Sequence, residues 1–325
     1  MPEVRIQVVN APTVISTFAG CGGSSLGYKM AGFKELLAVE WDDNAVETFK
    51  LNFPGVPVYH GDIAKLSGAE CMKLAGGIKP GELDVLDGSP PCQGFSTAGK
   101  RKYDDPRNSL FKEYARLLAE LQPKAFVMEN VTGMIKGHMK QAYLQIIATL
   151  RACGYKAKGE VLNAMYYGVP QSRERVIIIG VRNDLGIEPS HPKPQTKPMT
   201  VREAFSGIPG RGDAPNMSAK YQDYWRKAGR GGVVGLQQTH RRLDWGRPSF
   251  VLQKGSGYGG VYHPDEPRPL STLERCRLGS FPDNFRFTGW NAAIERIGNS
   301  VPPNLMRAIA EHIRDNILAK IGDCK

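Results

Sequence analysis

The chain has 325 residues, with 43 Lys and Arg against 32 Asp and Glu, a formal charge of +11. Hydrophobic residues make up 41% and charged residues 23%, which is ordinary globular composition and excludes a disordered tail, a collagen or a coiled coil. The cation excess favours an anionic partner, nucleic acid being the commonest, or else serves solubility.

Length suggests about two domains. No apolar run approaches the roughly 18 residues of a membrane helix, the longest being VIIIGV at 176–181. The opening MPEVRIQVVNAPTV has no basic head followed by an apolar stretch. The 6 cysteines show no CxxC pair and no zinc spacing, so the expectation is a reduced, cytoplasmic chain with no metal.

Short apolar runs predict strands at 14–18, 36–40, 56–59, 83–86, 125–129, 157–162 and 176–181. Spacing of 3.6 residues predicts helices over 109–121 and 140–152. This alternation predicts a parallel sheet covered on both faces. After Arg182 the texture changes: 186–270 is rich in Pro, Gly and isolated charges, which reads as an irregular second domain of loops and short strands. A helical pattern returns over 302–320, with Pro at its start. Between Lys220 and Lys254, eight basic residues face only Asp223 and Asp244, a net +6 in 35 residues. Tyr221, Tyr224, Trp225 and Trp245 are interleaved, which suits phosphate contact and base stacking, or a solvated surface with a few core aromatics.

The first strand runs into Phe18, Ala19, Gly20, Cys21, Gly22 and Gly23, where glycines let a ligand approach the backbone. Glu40 and Trp41 close the second strand, an acid for ribose hydroxyls and a ring for an adenine. Asp62 and Ile63 follow the third, with a carboxylate suited to an adenine amino group. The layout fits an adenosine-containing cofactor. It lacks the P-loop lysine, and Ser25 stands where the dinucleotide motif has its third small residue.

The fourth strand leads into GSPPCQGFS at 88–96. Two prolines stiffen the approach to Cys92, at the end of a strand where α/β enzymes place their chemistry. Local context leaves Cys92 either a nucleophile or a small buried hydrophobe. The next strand ends in Glu129-Asn130, polar residues that are costly there unless used or satisfied. Arg173 and Arg175 alternate, so they face one side of an extended segment, toward a site or toward Glu174 as a surface ion-pair set.

Together these residues resemble the C5-cytosine DNA methyltransferases. The resemblance rests on FAGCGG at 18–23, PPCQGFS at 90–96, ENV at 129–131, YGVPQSRERVIIIG at 167–180, FPDNF at 281–285 and IGNSVPPNL at 297–305, in the family's order along nearly the whole chain. It implies a class I methyltransferase (Rossmann-like) α/β fold, with a mostly parallel seven-stranded sheet. Residues 1–185 and 285–325 would form the catalytic domain, and 186–284 a smaller, irregular, β-rich target-recognition domain.

The family's chemistry implies a role for each residue. Cys92 would add to cytosine C6 of a flipped-out base. Glu129 would bond N3 and the exocyclic amine, Arg175 would bond O2, and Arg173 and Asn130 would complete the catalytic set. S-adenosyl-L-methionine is the implied cofactor, held by residues 18–23 with Glu40, Trp41, Asp62, Ile63, Ser89, Pro90, Leu110, Asn299 and Ser300. Asn299 reads equally as a helix N-cap before Pro302. The implied partner is double-stranded DNA, reached through Ser96, Lys100, Arg101, Arg107, Arg241, Arg242 and Lys254. A cognate restriction endonuclease is a further expected partner of what reads as a monomer.

Four positions depart from the family's usual residues: Val251-Leu252, Leu273-Glu274, Leu278-Gly279 and Arg296, the last where Gln is usual. The alternatives are the family's tRNA branch and a silent DNA binder. Gln-Gly-Phe-Ser after Cys92 is the DNA-type form, and the intact catalytic set argues against the silent binder.

Overall fold

In the computed structural model, residues 11–91, 109–255 and 258–321 are described. Seven strands form one sheet: β1 (Thr13–Thr17), β2 (Lys34–Glu40), β3 (Val58–His60), β4 (Val85–Gly88), β5 (Ala125–Val131), β6 (Tyr155–Asn163) and β7 (Glu174–Arg182). Their order is β3-β2-β1-β4-β5-β7-β6. The first five lie parallel, and β7 runs antiparallel between β5 and β6. Each expected strand is present with its ends shifted by a few residues.

The near-continuous apolar character of the central strands follows from burial on both faces. Ile15, Phe126, Met128 and Ile178 point one way, into a cluster with Leu117 and Leu118 of α4 (Ser109–Leu121) and Ile146 and Leu150 of α5 (Lys140–Ala152). Their alternates Val14, Val127, Ile177 and Ile179 point the other way, against Tyr28 of α1 (Gly23–Met30) and Ile309 and Ile313 of α10 (Pro303–Asn316). The two helices predicted from spacing are found with the expected bounds. The C-terminal helical pattern resolves into α10, with Pro at its first turn, and a 3-10 turn at Leu318–Ile321.

Four further helices are α2 (Asp43–Asn52), α3 (Gly68–Leu74), α8 (Thr272–Leu278) and α9 (Trp290–Asn299). Asp42 caps α2 by accepting from the Ala45 N–H at 2.8 Å. Between β7 and α8 the chain is irregular, as expected. Its β content is smaller than expected: β8 (Arg241–Arg242) and β9 (Val261–Tyr262) have two residues each, beside the short helices α6 (Val201–Ala204) and α7 (Ala219–Lys227). Positive-φ glycines at 207, 210, 212, 231, 235, 255, 259 and 260 break any longer ladder.

This irregular segment packs on the sheet domain through a shared apolar cluster. Phe49 and Phe53 of the first part meet Val201, Leu252, Leu270, Phe281 and Ile297. Among the described residues, no helix is long and apolar enough to cross a membrane.

Helices α1 and α10 pack closely at Gly27. A Cβ on Gly27 would lie 2.6 Å from Met306 Cβ and 2.7 Å from the Pro303 carbonyl oxygen. Gly27→Ala is therefore expected to overpack the contact and lower unfolding free energy by about 1–3 kcal/mol. Urea denaturation checks this, and unchanged stability would show that the helices can part freely.

Candidate active site and cofactor cavity

One cavity of about 830 Å³ opens where the carboxyl ends of β1, β2, β4 and β5 meet the end of α9. Its first wall is the turn after β1. Phe18 (φ 55°) and Gly20 (φ 56°) both take the left-handed conformation, and this is rare for a residue with a ring. The turn thus lays the Gly20 backbone at the cavity surface, where a Cβ would meet no described residue within 4 Å.

Glu40 fixes that turn. One carboxylate oxygen accepts from the Gly20 N–H at 2.8 Å, and the other accepts from the N–H groups of Trp41 and Asp42 at 2.9 and 3.0 Å. The adjoining Trp41 ring is 73% exposed and lines the cavity, a large apolar surface left for a ligand. Cys21 also lines it, but burial pushes its thiol up to about 11, and Sγ sits 3.2 Å from Ser300 Oγ. That makes it a packed thiol rather than a reactive thiolate.

The second wall is formed by Ser89, Pro90, Pro91, Glu129 and Asn130. Asn130 Nδ2 donates to the Pro90 carbonyl at 3.0 Å, tying the end of β5 to the turn after β4. Glu129 is buried, and its Oε1 lies 2.8 Å from Arg175 Nε, a charge contact across β5 and β7. The third wall is the α9 end, with Asn299 and Ser300, joined by Lys254 from the irregular segment.

Arg173 lies behind these walls, 2% exposed. It donates to the carbonyls of Leu252 (3.3 Å), Gly298 (3.0 Å) and Ser300 (2.9 Å). Burial and the neighbouring Arg175 lower this guanidinium to about 9. It therefore stays charged at neutral pH and works as an internal tie.

The cavity brings together Phe18, Ala19, Gly20, Cys21, Gly23, Glu40, Trp41, Ser89, Pro90, Glu129, Asn130, Lys254, Asn299 and Ser300. Gly22, Asp62, Ile63, Leu110, Arg173, Arg175, Arg241 and Arg242 do not line it. Asp62 instead caps a 3-10 turn by accepting from Ala64 N–H, and Ile63 and Leu110 pack on the core beneath. Asn299 ends α9, so its alternative reading as the cap of the next helix fails: Pro302 stands there. Cys92, Ser96, Lys100, Arg101 and Arg107 lie outside the described residues.

The basic stretch is less free than its count suggested. Arg242 donates to the carbonyls of Pro264 and Ala228 and lies 3.7 Å from the Trp225 ring centroid. Arg241 lies over Phe250, Lys227 pairs with Asp223, and Arg230 pairs with Asp265. Trp225 is core, with Tyr221 and Tyr224 packed beside it, and Trp245 donates to Asp265. Trp225 is thus buried, and the other three rings are half-buried against neighbouring side chains. The sequence reading missed Asp42 as a lining residue and noted Arg296 only as a departure; both line the cavity.

The sheet order and its ligand-sized cavity at the strand ends define an α/β enzyme of the methyltransferase type. The chain matches the model of the C-5 cytosine-specific DNA methylase family over residues 12–211 and 206–315, and it belongs to that family. It is 36% identical to the Type II methyltransferase M1.HphI of Haemophilus parahaemolyticus, over 93% of this chain and 86% of the relative. Identity to M.NgoFVII of Neisseria gonorrhoeae is 34%, over 94% and 87%. Among solved structures, a DNA modification methyltransferase encoded within an E. coli prophage superposes with a TM-score of 0.82 at 27% identity, covering 95% of this chain and all of that one. A Spodoptera frugiperda DNMT2 mutant (TM-score 0.70, 19% identity, 96% and 99% covered) shares the fold. The chain is thus a DNA (cytosine-5-)-methyltransferase.

Asp87, two residues before Ser89, is 2% exposed, and burial with Glu35 nearby pushes its carboxyl up to about 8. A raised folded-state value means the folded chain holds the proton more tightly. The stabilisation is full below the ordinary carboxylate range and is lost as pH rises toward 8. Asp87→Asn should reduce the fall in unfolding free energy between about pH 6 and about pH 9. Denaturation at the two pH values reads this out, and an unchanged fall would mean Asp87 is not the titrating group.

Proposed function

We propose that the chain transfers a methyl group from S-adenosyl-L-methionine to C5 of a cytosine flipped out of a specific duplex sequence, through a covalent bond between Cys92 and C6. The observation that carries the reading is the shared cavity. Adenosine-type groups (Gly20, Glu40 and Trp41) and the polar end of β5 (Glu129 and Asn130) face one space of about 830 Å³, a size suited to a nucleoside-sized ligand.

The cofactor supplies an electrophilic methyl group. The exposed Trp41 ring offers a stacking face, and the backbone bonds to Glu40 hold that carboxylate where ribose hydroxyls can reach it. Asn299 and Ser300 line the opposite wall.

Cytosine C5 is a weak nucleophile until C6 is attacked. The Cys92 thiolate would add to C6, and the electron density moved to C5 would take the methyl group as the sulfonium S–CH3 bond breaks and S-adenosyl-L-homocysteine leaves. A base removes the C5 proton, and elimination breaks the Cys92–C6 bond and restores the ring. Glu129 bonds N3 and the exocyclic amine, steadying the addition. Arg175, whose Nε lies 2.8 Å from Glu129 Oε1, would bond O2 in this reading. Arg173 supports the site from behind through the Leu252, Gly298 and Ser300 carbonyls. A stacked base is out of reach, so the nucleotide must flip out.

Residues 1–185 and 285–325 form the catalytic domain in this reading, and 186–284 the target-recognition domain. The α1–α10 contact supports the return of the chain end, and Lys254 brings a cation from the recognition domain to the cavity. The likeness to Type II methyltransferases supports a role in a restriction-modification pair.

Incubation with tritiated S-adenosyl-L-methionine and either duplex DNA or tRNA tests the reaction. Label is expected in DNA, and Cys92→Ala should abolish transfer while retaining DNA binding. Label in tRNA alone, or substantial transfer by Cys92→Ala, contradicts the reading.

A further inference from the structure

Arg296 occupies a position that the catalytic chemistry does not use. It lies on α9, is 7% exposed, and lines the cavity beside Cys21, Glu40 and Trp41. Its Nη1 stands 2.9 Å from Asp42 Oδ1, and its Nη2 stands 3.0 Å from Glu295 Oε1. Its Nε is buried and has no hydrogen-bond partner among the described residues.

Asp42 is the residue through which this charge acts. Its N–H donates to Glu40, and its carboxylate caps α2. The β2–α2 turn carrying Glu40 and Trp41 is thus anchored at Asp42. Trp41, 73% exposed, has little packing of its own to hold it. On the other side, the Arg296 carbonyl accepts from Ser300 Oγ at 2.6 Å, and that hydroxyl touches Cys21. One residue therefore ties the second-strand turn to the α9 end, the side chain reaching one and the main chain the other. Glu40, Asp42 and Glu295 all line the cavity, so the guanidinium also balances a local excess of carboxylate.

We propose that Arg296 is a positioning residue for the cofactor: its ion pair with Asp42 holds the Glu40–Trp41 turn at the distance from α9 that the adenosine end requires. The inference rests on the cofactor reading given above. A glutamine, usual at this position in the family the sequence resembles, carries no charge to offer Asp42. Loss of Arg296 leaves the Asp42 carboxylate without its cation, and loss of Asp42 leaves the guanidinium with Glu295 alone.

Calorimetric titration with S-adenosylhomocysteine on the full chain tests this, with wild type, Arg296→Gln, Asp42→Asn and the double variant. Asn also caps helices, so Asp42→Asn removes the charge and keeps the cap. Each single variant should weaken binding about tenfold, and the double variant no more than the worse single one, the signature of a coupled pair. Duplex-DNA affinity should stay near wild type, which a general structural defect would not allow. Arg296→Lys should recover part of the affinity and serves as the working variant if Arg296→Gln folds poorly. Unchanged affinity in the single variants, or losses that multiply in the double, overturns the inference. Wild type that fails to bind S-adenosylhomocysteine would instead overturn the cofactor reading beneath it.

Discussion

Arg173 carries a guanidinium removed from water, and its Nη groups donate to three backbone carbonyls from two distant stretches of chain. Leu252 belongs to the irregular segment, and Gly298 and Ser300 to the end of α9. The charge stands at the foot of β7, so the sheet, the irregular segment and the cavity's third wall share one anchor. Gly298 lets this happen: a Cβ there would collide with the Gln253–Lys254 backbone. Gln171 adds a parallel tie, accepting from the Leu252 N–H and donating to the Leu278 carbonyl. The cavity is therefore a seam held from behind by buried polar bonds.

In front of that seam the structure separates rigidity from availability. Glu40 is held by three N–H donors, Asn130 by Pro90 and its own neighbourhood, and Glu129 by Arg175. Trp41, Asn299 and Lys254, in contrast, are exposed at the cavity surface. Fixed groups whose geometry is set before a ligand arrives lose little freedom on binding it. The irregular segment follows the same economy. Its small aromatic core around Trp225 and the buried Arg268–Glu274 pair hold loops that have almost no sheet to support them.

Much of this was legible in the sequence, and the reasons are physical. The strands show because doubly buried strands need unbroken apolar runs. The helices α4 and α5 show because one face of each is apolar and the other polar. Helix α1 does not show: GSSLGYKM has two glycines and poor intrinsic propensity, and it is helical because Gly27 lets α10 pack close. Helix α9 hides behind a motif read for its chemistry. The site residues at strand ends are legible because cost and position coincide there: Glu129 and Asn130 are too polar to close a buried strand without a task. Side-chain direction is not legible. Arg242 looks like a phosphate ligand by charge, yet its guanidinium turns inward onto Trp225. Charge counts see neither that turn nor the partner Asp265, which lies beyond the counted stretch. Arg296 shows the same limit, because its partner Asp42 is 254 residues away.

In the proposed function this seam serves modification of cytosine at one DNA sequence. Bisulfite sequencing of genomic DNA from a methylation-free host expressing the chain tests it most directly. Protected cytosines should appear at a single position within one recurring sequence context, and disappear with the Cys92→Ala variant. Uniformly converted DNA from a host that accumulates the folded wild-type chain would contradict the account.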